Sequence, residues 1–164
     1  MAQVFISHTH EEKDVAEAVL QFLREFDLKA FLSSDHWQIR AGERWFDRIT
    51  AELNEAKVVI LLLSEQSVTR PWINFEAGWA WATNKKTIPA CFGELTKGKM
   101  PRPYSDLQGL DLRDDYYDLV KDCYSYVQVA KMTPPPVFAG HPAVDRLIAE
   151  VDAFLNRRNA GGQR

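Results

Sequence analysis

The segment from Val58 to Leu63 constrains the fold most, because it consists of six consecutive apolar residues, VVILLL. A run of this length and type is typical of a strand covered on both faces, as central strands of parallel sheets are. The segments around it alternate in character. The predicted strands are Val4–Ile6, Lys29–Ser33, Val58–Leu63 and Thr87–Phe92. The first three predicted helices follow Thr9, Arg44 and Arg70, and the last contains an apolar stripe from Val144 to Leu155.

This alternation predicts an α/β fold with right-handed crossovers and an open, doubly wound parallel sheet. The first helix has apolar residues at helical spacing and begins with a capping box formed by Thr9 and Glu12. Pro71 suits the first position of the third helix, which is expected to reach about Thr83. The segment 116–126 carries both helix and strand signals, so its type stays open.

The chain length of 164 residues corresponds to one domain, predicted over residues 1–158 with a disordered tail at 159–164. The 20 basic and 23 acidic residues give a net charge of −3, which argues against nucleic-acid binding. No apolar run is long enough to span a membrane, and the N-terminus does not resemble a signal peptide. We therefore expect a cytoplasmic protein in which Cys91 and Cys123 are reduced thiols.

Several common chemistries lack their sequence motifs. The chain has no G-x-G-x-x-G after the first strand, no P-loop and no G-x-S-x-G nucleophile elbow. A phospho-acceptor receiver domain would need an aspartate where Ser64 follows the third strand. His8 and His10 have no evident third ligand, so we expect no metal site.

In doubly wound sheets the ligand crevice lies at the carboxyl ends of the strands, near the point where strand order reverses. The residues that follow the strands are therefore the first candidates for a functional site. They are Ser7-His8-Thr9, Ser33-Ser34-Asp35 and Ser64-Glu65.

Three segments, in order, resemble the Toll/interleukin-1 receptor (TIR) domain family, particularly its bacterial stand-alone members. The opening strand and Ser7-His8 are similar to the family's first motif. The loop from Ser33 to Trp45 is similar to its BB loop. Ser64, followed by Trp72 and Glu76 in the pattern W-x-x-x-E, is similar to its third motif. The resemblance extends from Val4 to about Phe92 and is looser beyond.

The resemblance implies a flavodoxin-like sheet of five parallel strands and two candidate activities. Many family members are adhesive modules that assemble with one another, and others cleave NAD⁺ between nicotinamide and ribose, using a glutamate that corresponds to Glu76. One carboxylate is enough for that cleavage. Nicotinamide is cationic while attached and leaves as a neutral base, so only the oxocarbenium-like charge on the ribose needs stabilising.

The same resemblance assigns roles to other residues. Ser33 or Asp35 is expected to bind ribose, and which of them does so stays open. His8, Thr9 and His10 stand where some catalytic relatives have a basic pair, so phosphate contacts could come from Arg40, Arg44 or the backbone amides of the first helix. The expected substrate-binding residues are Ser7, His8, Thr9, Ser33, Asp35, Trp45 and Trp72, and the expected interface residues are Trp37, Ile39 and Gly42.

The leading hypothesis is an enzyme that takes NAD⁺ as substrate, needs no cofactor, and produces ADP-ribose or a cyclic isomer. Such a product would act as a signal to a separate effector, in anti-phage defence rather than virulence. Self-association through the loop around Trp37 could complete a neighbour's pocket. The alternatives are a non-catalytic assembly module and an enzyme similar to nucleoside deoxyribosyltransferases. Trp79 and Trp81 are expected to pack in the core.

Overall fold

The sheet has five parallel strands in the order β2-β1-β3-β4-β5. A computed structural model of the chain describes residues 3–33, 45–127, 136–137 and 139–161. The strands are β1 (Val4–Ser7), β2 (Ala30–Leu32), β3 (Val58–Leu63), β4 (Lys86–Cys91) and β5 (Leu110–Asp111). The predicted doubly wound α/β architecture is therefore confirmed.

In the described part of the chain, five α-helices cover the two faces of the sheet. They are α1 (Lys13–Glu25), α2 (Trp45–Glu55), α3 (Pro71–Ala82), α4 (Tyr116–Val127) and α5 (Pro142–Gly161). The core cluster on one face contains residues of α1, α4 and α5, and the cluster on the other face contains residues of α2 and α3. Among the described helices, none is long and apolar enough to cross a membrane.

The central strand β3 explains why both layers form. Its side chains alternate between faces, as strand geometry requires. Ile60 and Leu62 belong to the core cluster under α1, α4 and α5, whereas Leu61 and Leu63 belong to the cluster under α2 and α3. All six side chains of the strand are fully buried, as the apolar run predicts.

The strand order places the carboxyl ends of β1, β2 and β3 side by side. Ser7, at the end of β1, pairs with Leu61 of β3, and the backbone N–H of Ser33 donates to the carbonyl of Ile6 at 3.0 Å. In this strand order the sequence reverses between β1 and β3, which is where a ligand crevice is expected.

The structure also resolves the weaker sequence signals. The segment with mixed signals is helical, as α4. Pro89 lies inside β4, but β5 pairs only with Ala90 and Cys91, so no β5 residue pairs with the proline. Helix α5 continues to Gly161 and so includes residues 159–161, which the sequence assigned to a tail. Residues 162–164 lie outside the described part, and the domain boundary stays a prediction.

Candidate active site

Glu76 lies in the second turn of α3, and its side chain is completely buried. Pro71 occupies the start of that helix, as predicted, because its fixed φ and missing N–H suit this position. Helical side chains tilt toward the N-terminus, which here lies at the carboxyl ends of the strands. The carboxyl group of Glu76 therefore points back to the edge of the sheet where Ser7 ends β1.

Three side chains from three elements donate hydrogen bonds to this carboxyl group. The indole Nε1–H of Trp72, one turn earlier in α3, donates to Oε1 at 2.7 Å. The hydroxyl of Ser7 donates to Oε2, and the hydroxyl of Ser33, directly after β2, also bonds to the group. The structure thus brings together Ser7, Ser33, Trp72 and Glu76, four of the residues that the sequence offered as site candidates.

The environment of Glu76 strongly changes its acidity. Burial raises the pKa of Glu76 to about 8, although the hydrogen bonds from Ser7, Trp72 and Ser33 oppose the shift. Removal from water disfavours the charged form, whereas donors to the carboxylate favour it. At neutral pH the group is therefore mainly protonated, which distinguishes it from a solvated carboxylate on a helix surface.

His8 is held beside this centre and is almost completely buried. Its backbone N–H donates to the Ser33 hydroxyl at 3.2 Å, and its ring Nδ1 lies 3.5 Å from the same oxygen and 3.4 Å from the carbonyl of Ile6. These contacts connect the end of β1 to the end of β2, next to the two serines that bond to Glu76.

A cavity of about 370 Å³ opens between the β1–α1 loop and the start of α3. Its volume is at the lower end of the range for small-molecule sites. The described residues that line it are His8, Thr9, His10, Glu11, Arg70, Pro71 and Trp72. His8 bonds to Ser33, and Trp72 bonds to Glu76 itself. The cavity that these two residues line therefore lies directly beside the buried carboxyl group.

Glu12 is a second buried carboxylate at this edge of the sheet. One of its oxygens accepts from the backbone N–H of Thr9 at 3.2 Å, which confirms the predicted capping box. The other oxygen accepts from the hydroxyl of Ser64 at 2.5 Å. Burial raises the pKa of Glu12 despite these bonds. Through Glu12, the Ser64 hydroxyl therefore helps to hold the β1–α1 loop, which lines the cavity, and it does not bond to Glu76.

Glu65 follows β3 but faces away from the centre. Its carboxylate pairs with Arg158 of α5 and accepts from the backbone N–H of Glu94. The side chain therefore connects the β3–α3 loop to the C-terminal helix. Among the described residues, no group of three His, Cys, Asp or Glu side chains is arranged to hold a metal ion.

The other predicted residues have different outcomes. Thr9 lines the cavity, whereas Trp79 and Trp81 are only partly buried and pack against the core. Trp45 begins α2, but its side chain lies outside the described part of the chain. The other predictions that fall outside the described residues are Asp35, Trp37, Ile39, Arg40, Gly42 and Arg44.

Sequence reasoning missed two residues of the cavity wall, Glu11 and Arg70. Arg70 precedes the first residue of α3, and its guanidinium lies 3.4 Å from a carboxylate oxygen of Glu11. In the sequence, neither residue differs from an ordinary charged residue at the surface. Only the position of Arg70, two residues before Trp72 of the W-x-x-x-E pattern, could have placed it near the site.

The chain matches the profile of a known domain family over most of its length. The sequence profile of the TIR domain matches residues 4–122, which include β1 through most of α4. The chain belongs to the TIR domain family. A search of curated protein sequences found no match. The fold is also similar to that of a solved structure, a metazoan TIR-STING receptor from C. gigas in complex with 2′,3′-cGAMP.

The similarity to that receptor supports the fold alone. The TM-score is 0.60 at 20% sequence identity, and the match covers 82% of this chain and 41% of the receptor chain. This TIR domain therefore spans less than half the length of the receptor chain that it matches. The C-terminal part beyond residue 122, including α5, lies outside the family match.

Proposed function

We propose that this TIR domain cleaves the bond between nicotinamide and ribose in NAD⁺, with Glu76 as the catalytic carboxylate. The observation that carries the proposal is the arrangement of side chains around Glu76. The carboxyl group of Glu76 is buried at the carboxyl ends of β1 and β2, bonds to Ser7, Ser33 and Trp72, and lies beside a cavity of about 370 Å³.

The raised pKa of Glu76 fits a cationic substrate. In the free protein the buried carboxyl group holds a proton, because no positive charge among the described residues compensates its negative form. The pyridinium ring of bound NAD⁺ would supply that charge and favour the carboxylate. Binding of the cation and loss of the proton from Glu76 are therefore coupled.

The chemical step then needs no acid. The electron pair of the C–N bond leaves with nicotinamide, which departs as a neutral base, and positive charge develops on the ribose carbon. The carboxylate of Glu76 stabilises this charge in a site of low dielectric constant, where such stabilisation is strongest. Water then adds to the ribose carbon and releases its proton to the solvent, or a nucleophilic atom within the same molecule adds and forms a cyclic isomer.

The complete burial of Glu76 sets a condition on this mechanism. Its carboxyl group has no exposed surface, so a substrate contacts it only when neighbouring side chains move. Trp72 touches both the carboxyl group and the cavity, so it is the side chain best placed to transmit such a movement.

The direct test is release of nicotinamide from NAD⁺, followed by liquid chromatography with mass detection. We expect release by the wild type, loss of at least a hundredfold in Glu76→Gln, and no change in Glu55→Gln, whose side chain is exposed at the end of α2. The mass and retention of the second product distinguish linear ADP-ribose from a cyclic isomer. Equal release by the wild type and Glu76→Gln would contradict the proposal.

The second candidate is a non-catalytic assembly module, and one observation favours it. A neutral, fully hydrogen-bonded carboxyl group can also serve only to hold β1, β2 and α3 together. In that case no protein concentration produces nicotinamide, and Glu76→Gln self-associates as the wild type does.

The cellular setting is part of the proposal. NAD⁺ is a cytoplasmic metabolite, so the enzyme would act in the cytoplasm and would signal to a separate effector in anti-phage defence. Loss of phage resistance in cells that carry Glu76→Gln, with protein levels maintained, would support this role. Unchanged resistance would contradict it.

A further inference from the structure

Arg70 and Glu11 form an ion pair across the mouth of the cavity. The guanidinium Nη2 of Arg70 lies 3.4 Å from Oε1 of Glu11, and both side chains are about half exposed, at 51% and 55%. Glu11 comes from the β1–α1 segment and Arg70 from the residue before α3. The pair therefore joins the two walls of the cavity that lies beside Glu76.

The pair gives little stability to the fold. Exposed ion pairs of this kind typically contribute between nothing and about 1 kcal/mol, because water screens the charges and both side chains lose freedom. Separating the two side chains therefore costs little free energy. A guanidinium held at a cavity mouth by a weakly bound partner is available to a more strongly charged anion.

A diphosphate is the anion that fits this position. Guanidinium groups form paired hydrogen bonds with phosphate oxygens, and a diphosphate carries about twice the charge of the single Glu11 carboxylate. Arg70 is the only arginine or lysine among the described residues that line this cavity. His8, Thr9 and His10 occupy the β1–α1 loop opposite it.

The spacing along α3 also fits. Arg70 precedes Glu76 by six residues, which corresponds to about 9 Å along a helix axis. With NAD⁺ bound so that its nicotinamide ribose contacts Glu76, the 5′ carbon of that ribose leads to the diphosphate. A separation of this size lets one molecule contact the carboxyl group with its ribose and the guanidinium with its phosphates.

We infer that Arg70 binds the diphosphate of the dinucleotide substrate, and that Glu11 is the internal carboxylate which this diphosphate displaces. The inference rests on the proposed function for the identity of the substrate. It adds a specificity-determining residue, because a ligand without phosphate gains nothing from Arg70. It also assigns Glu11 an opposing role, since its carboxylate competes for Arg70 and repels the incoming phosphates.

The first test measures binding and does not depend on catalysis. Calorimetry with ADP-ribose is carried out on the wild type, Arg70→Ala, Glu11→Gln and Arg113→Ala. Arg113 is the matched control, because it forms a surface ion pair with Asp152 of α5 and does not line the cavity. We expect affinity to fall about tenfold in Arg70→Ala, to rise severalfold in Glu11→Gln, and to stay within twofold in Arg113→Ala.

Nicotinamide riboside, which carries no phosphate, supplies the second arm. Arg70→Ala should raise the KM for NAD⁺ about tenfold with little change in kcat, and should leave kcat/KM for nicotinamide riboside unchanged. Equal losses for both substrates, or equal affinity of the wild type and Arg70→Ala for ADP-ribose, would overturn the inference. If ADP-ribose binding depends on Arg70 but NAD⁺ is not cleaved, the diphosphate site stands and the proposed enzyme activity fails.

Discussion

Glu76 is the residue at which stability and the proposed chemistry oppose each other. Its pKa is about 8 in the folded protein, whereas the ordinary value for a glutamate is 4.5. The folded state therefore holds a proton that the unfolded chain has already lost between these two pH values. Folding stability is highest below about pH 4.5 as far as this group is concerned, and falls as the pH rises toward 8.

Replacing this carboxyl group by an amide should remove the loss of folding stability that Glu76 causes at neutral pH. At pH 7 the penalty is roughly 3 kcal/mol, so Glu76→Gln should be more stable than the wild type by an amount of that order. The gain should nearly vanish at pH 4.5, where Glu76 is protonated in the folded state and half protonated in the unfolded chain. Urea unfolding at both pH values measures the difference. A variant that is less stable at pH 7 would show that the negative carboxylate itself stabilises the fold.

Trp72 is expected to control the acidity of Glu76 through its indole N–H. Phenylalanine at this position keeps an aromatic ring against Phe75 but removes the donor to Oε1. Because that bond lowers the pKa of Glu76, Trp72→Phe should raise the pKa above 8 and shift the pH dependence of kcat/KM to higher pH. A uniform loss of activity with an unmoved pH midpoint would mean that Trp72 acts only by packing.

The central part of the site could be predicted from the sequence because topology determines it. Residues that follow neighbouring parallel strands meet at one edge, which brought Ser7 and Ser33 together, and a spacing of four in a helix brought Trp72 above Glu76. Burial of Glu76 could not be predicted. Nothing in the local pattern says that this helical carboxyl group lies under the side chains of two other elements.

At the scale of elements, Glu12 connects the start of α1 to the end of β3. Its two oxygens accept from the Thr9 backbone and the Ser64 hydroxyl, and its side chain is 1% exposed. The capping box could be predicted from the spacing of Thr9 and Glu12. The bond to Ser64 could not be predicted, because it joins residues that are 52 positions apart.

Removal of this carboxyl group should destabilise the protein. Glu12→Ala leaves the Ser64 hydroxyl and the Thr9 N–H without this acceptor, so we expect a loss of about 2–4 kcal/mol in the free energy of unfolding. Glu12→Gln keeps an acceptor and should lose less than half as much. Chemical denaturation of both variants measures the difference, and equal losses would show that the charge matters rather than the hydrogen bonds.

The predicted elements were most accurate where the periodic signal was long. Strand β3 matches its predicted bounds, and α3 ends one residue before Thr83. Strand β5 has only two residues, which is too short for any periodicity to show. Tyr104 likewise lies between β4 and β5, where the sequence predicted no element, yet its ring is fully buried against Trp81 and its hydroxyl bonds to Asn74.

At the scale of the whole molecule, assembly is expected to affect activity. TIR domains associate with one another. The residues predicted to make that contact, Trp37 and Ile39, belong to a loop predicted from the sequence and lie outside the described residues. If this loop completes a neighbour's cavity, specific activity should rise with protein concentration and Trp37→Ala should abolish the rise. Dilution series of both proteins measure this. Activity strictly proportional to concentration would contradict a shared site.

In the proposed mechanism, ionisation of Glu76 switches on cleavage of NAD⁺. The pH dependence of kcat/KM for nicotinamide release, measured from pH 5.5 to 9.5, tests this step. We predict a tenfold rise per pH unit below a midpoint near 8 and a plateau above it, since kcat/KM reports the free enzyme. Glu76→Gln should show no such rise. A wild-type profile that is flat across pH 8, or a variant that keeps the same midpoint, would contradict the claim.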